Sequence, residues 1–119
     1  MNVLEKFNEV PNYFSPKVIG EVNDTYIKIA KIKGEKVPWH AHPNEDEMFY
    51  ILEGSLFFEI ENDKNFTMTK GDFFIVKKGI RHRVSAAEEC KIMLIENRTT
   101  EHTGDVISEI TKTISEQQK

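Results

Sequence analysis

The sequence predicts an all-β domain, and three observations lead to that prediction. β-branched and aromatic residues dominate the apolar set, with 13 Ile, 8 Val and 8 Phe against 4 Leu and 4 Ala, and such side chains fit a pleated sheet better than a helix. From Lys17 to about Asn97, short apolar runs alternate with Gly, Asn, Asp and Pro at the spacing of a sandwich or barrel. A chain of 119 residues is long enough for one core and too short for two, so we expect a single domain over 1–119.

The elements can be assigned in order along the chain. Residues 1–16 form a leader in which Leu4, Phe7 and Val10 have the spacing of one helical face, although Pro11 and Pro16 limit any helix to a short one. Nine strands are then predicted, at approximately 17–22, 25–33, 36–42, 47–53, 55–61, 65–69, 72–77, 81–85 and 90–96.

The last stretch of the chain, from Asp105 to Lys119, differs from the strands before it. Ile107, Ile110 and Ile114 stand at i, i+3 and i+7, which predicts a short amphipathic helix. Because β-branched residues weaken a helix, a final strand is the alternative.

Charge and composition exclude several classes of function. The formal charge of −4 argues against DNA or RNA as a partner, since phosphate binding needs a surplus of Lys and Arg. No apolar run approaches the roughly 20 residues of a membrane span, so we expect no membrane partner. The single cysteine, Cys90, suits a reducing compartment, and residues 1–10 lack the apolar stretch of a signal peptide. These features predict a cytoplasmic protein.

Several predicted strands are apolar on both faces. Residues 73–76 form an unbroken apolar run, and Met48, Tyr50 and Leu52 are offset by one position from Phe49 and Ile51. One face of a lone open sheet should be polar, so the second apolar face needs a cover, either another sheet or a partner subunit. We therefore expect a homodimer that packs strand faces together.

Three of the four histidines fall in a pattern typical of a metal site. His40 and His42 are two positions apart, so on a strand their side chains point to the same face, roughly 6.6 Å apart. Glu47 opens the next run on the face of its apolar neighbours, and His82 occupies an inward position of a later strand. Three imidazoles and one carboxylate form a ligand set suited to one divalent transition metal: Fe, Mn, Ni, Zn, Co or Cu.

The glycines around these residues complete two motifs. Gly34-x5-His40-x-His42-x4-Glu47-x6-Gly54 resembles the first motif of the cupin superfamily, and Gly71-x5-Lys77-x-Gly79-x2-His82 resembles the second. A shorter gap in the first motif would select Asp46, but the six residues before Gly54 select Glu47. Lys77 stands where a proline is usual, and Ala86 stands where many members have Asn. Neither departure removes a ligand, and the resemblance covers about residues 34–86.

The resemblance implies a double-stranded β-helix, or jelly-roll barrel, of the small single-domain cupin type, with the metal held by His40, His42, Glu47 and His82. Its members include dioxygenases, sugar isomerases and epimerases, and binding proteins, and the fold does not choose among them. Four protein ligands leave one or two open metal positions, which is what a dioxygenase requires, so that is the leading enzymatic interpretation. The alternatives are a metal-dependent sugar isomerase or epimerase and a non-enzymatic binding or sensor module for a small molecule.

The residues around the predicted metal are less well determined. Strand parity makes Phe49, Ile51 and Phe58 candidate pocket residues, with barrel core as the alternative. Other residues in or beyond the motifs are expected at the surface or in packing layers, and no catalytic residue is identified. These are Trp39, Glu45, Asp46, Arg81, Arg83 and His102. The alternatives are a general base for Glu45 or Asp46 and a contact with an anionic substrate for Arg81 or Arg83.

Overall fold

Seven strands and two one-turn helices make up the part of the chain that the computed structural model describes, residues 1–118. The elements, in chain order, are α1 (Val3–Lys6), β1 (Lys17–Val22), β2 (Thr25–Gly34), β3 (Glu47–Glu53), β4 (Ser55–Ile60), β5 (Phe66–Thr69), β6 (Phe73–Val76), β7 (His82–Asn97) and α2 (Ile114–Gln117). One 3-10 turn, Phe7–Glu9, follows α1.

All strand pairs are antiparallel, and β7 joins the two halves of the barrel. The order of the larger sheet is β1-β2-β7-β3-β6. The first residues of β7 pair instead with β4, which in turn pairs with β5. Because β7 is 16 residues long, its first residues pair with β4 while its later residues pair with β2 and β3. This arrangement confirms the predicted all-β jelly-roll barrel.

Two strand predictions were wrong in detail. The predicted strands 81–85 and 90–96 are one continuous strand, β7. The predicted strand 36–42 is absent: residues 35–46 form a loop, hereafter the histidine loop, joined to β7 by a single bridge between His40 and His82. Pro38 and Pro43 have no N–H to donate to a ladder, which explains why this extended segment does not continue as a strand.

The barrel core consists of alternate residues of the strands. On β7, His82, Val84 and Ala86 are buried, and further along Cys90, Ile92, Leu94 and Glu96 are buried. This period of two is that of a strand with one face on the core. Burial raises the pKa of the Cys90 thiol to about 11, which leaves it unreactive at neutral pH.

The leader covers part of the outer face of the larger sheet. Phe7 and Val10 are buried against Ile29, while Leu4 is exposed, so only two of the three predicted residues share the packed face. Elsewhere the outer face stays open: on the edge strand β6, Phe73 is 63% exposed and Ile75 is 44% exposed. The second apolar face was expected to be covered by another sheet or by a partner subunit. Part of it is covered instead by the leader of the same chain.

The predicted helix over 105–119 was also wrong in extent, because within the described residues only α2 is helical. Side chains bind the backbone here instead: the Ser108 N–H donates to the Thr111 hydroxyl, and the Ile110 N–H donates to Ser108 Oγ. Such local bonds compete with a helix. Ile110 reaches the core while Ile107 is 90% exposed. We call residues 98–118 the C-terminal segment.

Candidate metal centre

Backbone hydrogen bonds bring the four predicted ligands together. Glu47 is the first residue of β3 and His82 the first of β7. His40 and His82 exchange two backbone hydrogen bonds, of 3.0 and 2.9 Å, which fix the histidine loop against β7. The Gly79 N–H donates to the His42 carbonyl over 2.8 Å and fixes the other end of the loop. The loop therefore presents both histidines to the barrel without being a strand.

The C-terminal segment holds the histidine loop from the other side. The Ala41 N–H donates to Asp105 Oδ1 over 3.0 Å, and the Asp105 N–H donates to the Ala41 carbonyl over 3.0 Å. Gly104 packs so closely that a Cβ added there would lie 2.2 Å from the Ala41 oxygen and 2.9 Å from the His40 ring. Its φ of +57° also favours glycine. The residue between the two histidines is thus fixed by a segment about 60 residues further along the chain.

Four side chains form a compact, buried donor set. One ligand atom from each of His40, His42, Glu47 and His82 lies within 4.8 Å of all the others. Glu47 Oε1 is 3.4 Å from His42 Nε2 and 3.7 Å from His82 Nε2. All four residues are buried. We call them the four-residue cluster.

The hydrogen bonds of two histidines leave Nε2 free for a metal. Nδ1 of His40 donates to the Pro38 carbonyl over 2.8 Å, and Nδ1 of His82 donates to the Ile80 carbonyl over 3.0 Å. A carbonyl only accepts, so each neutral ring has its lone pair on Nε2, which is the usual outer hydrogen bonding of a metal-binding histidine.

Several buried polar atoms of the cluster have no hydrogen-bond partner among residues 1–118. They are His82 Nε2, Glu47 Oε1 and both ring nitrogens of His42. Unpaired buried polar atoms are rare because each costs free energy. A divalent ion would contact the donors that are otherwise unpaired, so the residues present fit a metal of the transition series.

The pKa shifts of the cluster residues favour the binding of a cation. Burial, reinforced by His82, lowers the pKa of His40 to about 4, so this imidazole is neutral at pH 7. Burial would raise the pKa of Glu47, but its contacts with His42 and His82 outweigh that effect and hold it well below the ordinary value. For His42, burial is outweighed by the Glu47 carboxylate, which raises the pKa. The cluster thus combines an ionised carboxylate with a neutral imidazole, which are the donor forms that a metal cation binds.

Two charged residues that sequence reasoning missed lie behind Glu47. Glu96 is the cross-strand neighbour of Glu47. Burial and the Glu47 charge raise the pKa of Glu96 well above its ordinary value. Lys28 Nζ lies 2.8 Å from Glu96 Oε1 and donates to Gln117 Oε1 over 2.5 Å. Both residues occupy inward positions of regular strands. The alternation of inward and outward residues along each strand would have predicted that they face the core.

His102 was expected to be an ordinary surface residue, and this expectation was wrong. It lines a partly open cavity together with His40 and Glu47. The Lys112 N–H donates to His102 Nδ1 over 2.8 Å, so the neutral ring carries its proton on Nε2. Burial lowers the pKa of His102 to about 4. No local pattern indicated this role, because the C-terminal segment folds back by long-range contacts.

The cavity next to the cluster has a volume of about 50 Å³, enough for roughly three or four water molecules. Its polar lining residues are His40, Glu47, His102 and Thr103, and the Thr103 hydroxyl is already bonded to the Val106 carbonyl and Thr111. The rest of its wall is hydrocarbon, including Phe14, Ile32, Val37, Phe49, Ile92 and Leu94.

The predicted pocket residues divide into wall and core. Phe49 lines the cavity. Ile51 and Phe58 are fully buried in the core and are not among the residues that line it. Phe58 stacks on His82 instead, with ring centroids 5.7 Å apart and planes at 10°. Phe58 therefore packs against the His82 ring of the cluster from outside the cavity.

The remaining charged candidates lie outside the cluster. Arg81 pairs with Glu61 at 3.0 Å, and Arg83 pairs with Glu59 at 2.6 Å while lying over the Trp39 ring. Two acidic residues of the histidine loop also bond elsewhere. Glu45 accepts from the Thr99 hydroxyl, and Asp46 accepts from the Lys78 N–H, so the structure places Glu47 and not Asp46 in the cluster.

Within residues 1–118, no helix has both the length and the apolar character that crossing a membrane requires.

Comparison with known proteins agrees with this architecture. The family model for the cupin domain matches residues 31–96. The chain is similar to the uncharacterized protein YdbB of Bacillus subtilis, with 31% identity over 100 residues that span 84% of this chain and 88% of that protein.

Solved structures are similar as well. A cupin-2 domain protein from Shewanella frigidimarina shares 40% identity and has a TM-score of 0.77, over 82% of this chain and 93% of that one. A candidate mannose-6-phosphate isomerase from Ralstonia eutropha shares 26% identity with a TM-score of 0.58, over 69% of this chain and 81% of that one. The family match covers more than half of the sequence and includes all four residues of the cluster. The chain therefore belongs to the cupin family.

Proposed function

We propose that this chain is a metal-dependent cupin that binds one divalent transition-metal ion through His40, His42, Glu47 and His82 and acts on a small molecule in the adjoining cavity. The observation that carries the proposal is the convergence of four buried donors within 4.8 Å, several of them without another partner. The native ion is one of Fe, Mn, Ni, Zn, Co and Cu, because all of them accept imidazole and carboxylate ligands.

The leading activity in this proposal is dioxygenase-type chemistry. A bound ion would supply Lewis acidity and one or two exchangeable positions, because four donors converge among residues 1–118. The residues of the chain orient the metal-binding side chains and exclude water from them. Backbone carbonyls orient His40 and His82, and Glu96, whose carboxyl pKa is raised by burial and by the Glu47 charge, lies opposite Glu47 on the neighbouring strand. The hydrocarbon wall keeps the reacting groups away from bulk water.

A second candidate is a metal-dependent sugar isomerase or epimerase, favoured by the similarity to the Ralstonia eutropha structure. A third is a binding or sensor module, in which the metal organises a ligand pocket without turnover. Oxygen uptake with a substrate library would support the first candidate. Turnover without oxygen would support the second, and ligand binding without turnover would support the third.

The metal site is tested by elemental analysis of protein purified without oxygen and reconstituted with iron, manganese, nickel or zinc. We expect near one equivalent per chain in the wild type and a severe loss in His40→Ala and His82→Ala. His102→Ala is the matched control, because it removes a histidine that lines the same cavity but lies outside the four-residue cluster. Absence of metal in the wild type after all four reconstitutions would contradict the proposal.

The proposal includes a homodimer in which the exposed apolar residues of β6, Phe73 and Ile75, pack against a second copy. Association through this strand would remove the apolar side chains from water and would pair the backbone N–H and C=O groups that an edge strand leaves open. Light scattering at micromolar concentration should give twice the mass of the 13.8 kDa chain. A monomeric mass would contradict this part.

A further inference from the structure

The cavity beside the four-residue cluster offers few polar groups to a ligand. Two polar lining residues, His40 and Glu47, belong to the cluster, and the Thr103 hydroxyl is used within the C-terminal segment. His102 remains: its Nδ1 is occupied by the Lys112 N–H, which leaves Nε2–H as the donor of the ring. A ligand can therefore place polar atoms at the metal and at His102, and elsewhere it meets hydrocarbon.

The cationic side chains of the described residues are not part of the cavity wall. Among residues 1–118, no lysine or arginine lines it. Lys28, which pairs with the cross-strand neighbour of Glu47, is held by Glu96 and Gln117. A phosphate bound in this cavity would have no counter-charge beyond the metal, and hydroxyls against the wall would lose their hydrogen bonds to water. Each of these costs free energy.

We infer that the cavity takes a compact molecule whose oxygen donors are gathered at one end, bound by the metal and His102, and whose other end is hydrocarbon. This rests on the proposed function, since the metal is one of the two polar anchors. The free volume of about 50 Å³ beside the cluster suits a compact ligand in this conformation. Phosphorylated and polyhydroxylated sugars fall outside the inferred class.

The inference is tested with three hydroxamic acids that share one metal-binding group and differ in their tails. Propionohydroxamic acid has a methyl end, glycolohydroxamic acid has a hydroxyl in its place, and malonic monohydroxamic acid has a carboxylate in its place. Each is titrated into the full chain loaded with Co(II), and the visible absorption of the cobalt gives Kd. We expect the methyl tail to bind about 10- to 100-fold tighter than the hydroxyl tail, and the carboxylate tail to bind more weakly still.

The role of His102 is tested in the same titrations with His102→Leu and His102→Gln. We expect the leucine variant to keep its Co(II) and to bind all three compounds about tenfold more weakly, because one hydrogen-bond donor is lost. The glutamine variant retains a donor and should recover part of that loss. Equal affinities in wild type and His102→Leu would overturn the assignment of His102.

The outcomes separate the inference from the proposed function. A protein that takes up no Co(II) fails the proposed function before any hydroxamic acid is added, and the inference fails with it. Stoichiometric Co(II) together with equal or tighter binding of the hydroxyl or carboxylate tail leaves the metal site standing and overturns the inferred ligand class. Stoichiometric Co(II) with the expected order supports both.

Discussion

Lys28 provides the sharpest prediction about stability, because its ammonium is buried within a barrel. Its side chain is 1% exposed, lies 2.8 Å from Glu96 and donates to Gln117. Lys28→Met keeps much of the hydrocarbon stem but removes the cation, so the neighbouring carboxyl groups of Glu47 and Glu96 lose their only close buried ammonium among the described residues. Removing one partner of a buried charge pair costs about 3–5 kcal/mol.

The size of this effect makes it easy to measure. A domain of this length has a free energy of unfolding of about 5–15 kcal/mol, so the loss is a large fraction of the total. It corresponds to a decrease in Tm of roughly 10–20 °C. The assay is urea and thermal unfolding of metal-free protein at pH 7, followed by far-ultraviolet circular dichroism. Lys33→Met is the matched control: Lys33 is an exposed lysine of the same strand, and its loss should change stability by less than about 0.5 kcal/mol.

A double variant tests whether the effect comes from charge. Lys28→Met combined with Glu96→Met replaces the pair by apolar side chains of similar volume and should be less destabilised than Lys28→Met alone. If Lys28→Met unfolds within about 1 kcal/mol of the wild type, the buried cation does not stabilise this cluster. If the double variant loses the sum of the two single effects, the two residues are not coupled, and the reasoning is refuted.

Three further predictions concern the residues around the cluster. Because the pKa of His102 is about 4 in the folded protein and near 6.5 when unfolded, the unfolded chain binds more protons between these values. Wild-type stability should therefore be complete above pH 6.5 and fall by up to about 3 kcal/mol as the pH drops to 4, a loss that is smaller in His102→Gln. Equal pH profiles in urea titrations would contradict this. Gly104→Ala should cost more than about 3 kcal/mol and weaken metal retention, because its Cβ meets the Ala41 oxygen, whereas Gly79→Ala, with φ +82° but open space, should cost about 1–2 kcal/mol. Equal unfolding midpoints would show that Gly104 does not pack as described. Cys90 should react slowly with a thiol reagent until the protein unfolds, and rapid labelling of the native protein would contradict its burial.

The four-residue cluster was predictable because its residues stand at the spacing of two recognisable sequence motifs. Strand parity placed His40, His42, Glu47 and His82 inward, the resemblance to the two cupin motifs selected all four as ligands, and their side chains do converge. The strand expected at 36–42 does not form, yet the histidines converge all the same. The His40 bridge to β7 and the Asp105 bonds to Ala41 replace the missing ladder.

The residues that sequence reasoning missed depend on contacts between distant parts of the chain. His102 reaches the cavity only because the C-terminal segment folds back over the histidine loop, and no local pattern predicts that path. Ile107 and Ile110 have helical spacing, but Ser and Thr side chains bind the backbone there and prevent a helix. Lys28 and Glu96 do follow strand parity, and an inward charge on each strand was a readable signal. The sequence does not show that β2 and β7 are neighbours, so it does not show that the two charged residues form a pair.

The most direct test of the metal centre is anomalous diffraction from crystals of this chain grown with Co(II) or Zn(II). We expect one strong peak per chain, about 2.0–2.2 Å from Nε2 of His40, Nε2 of His82, a ring nitrogen of His42 and a carboxylate oxygen of Glu47. A structure in which the ion binds other residues, or in which the four side chains stay metal-free at saturating ion, would contradict it.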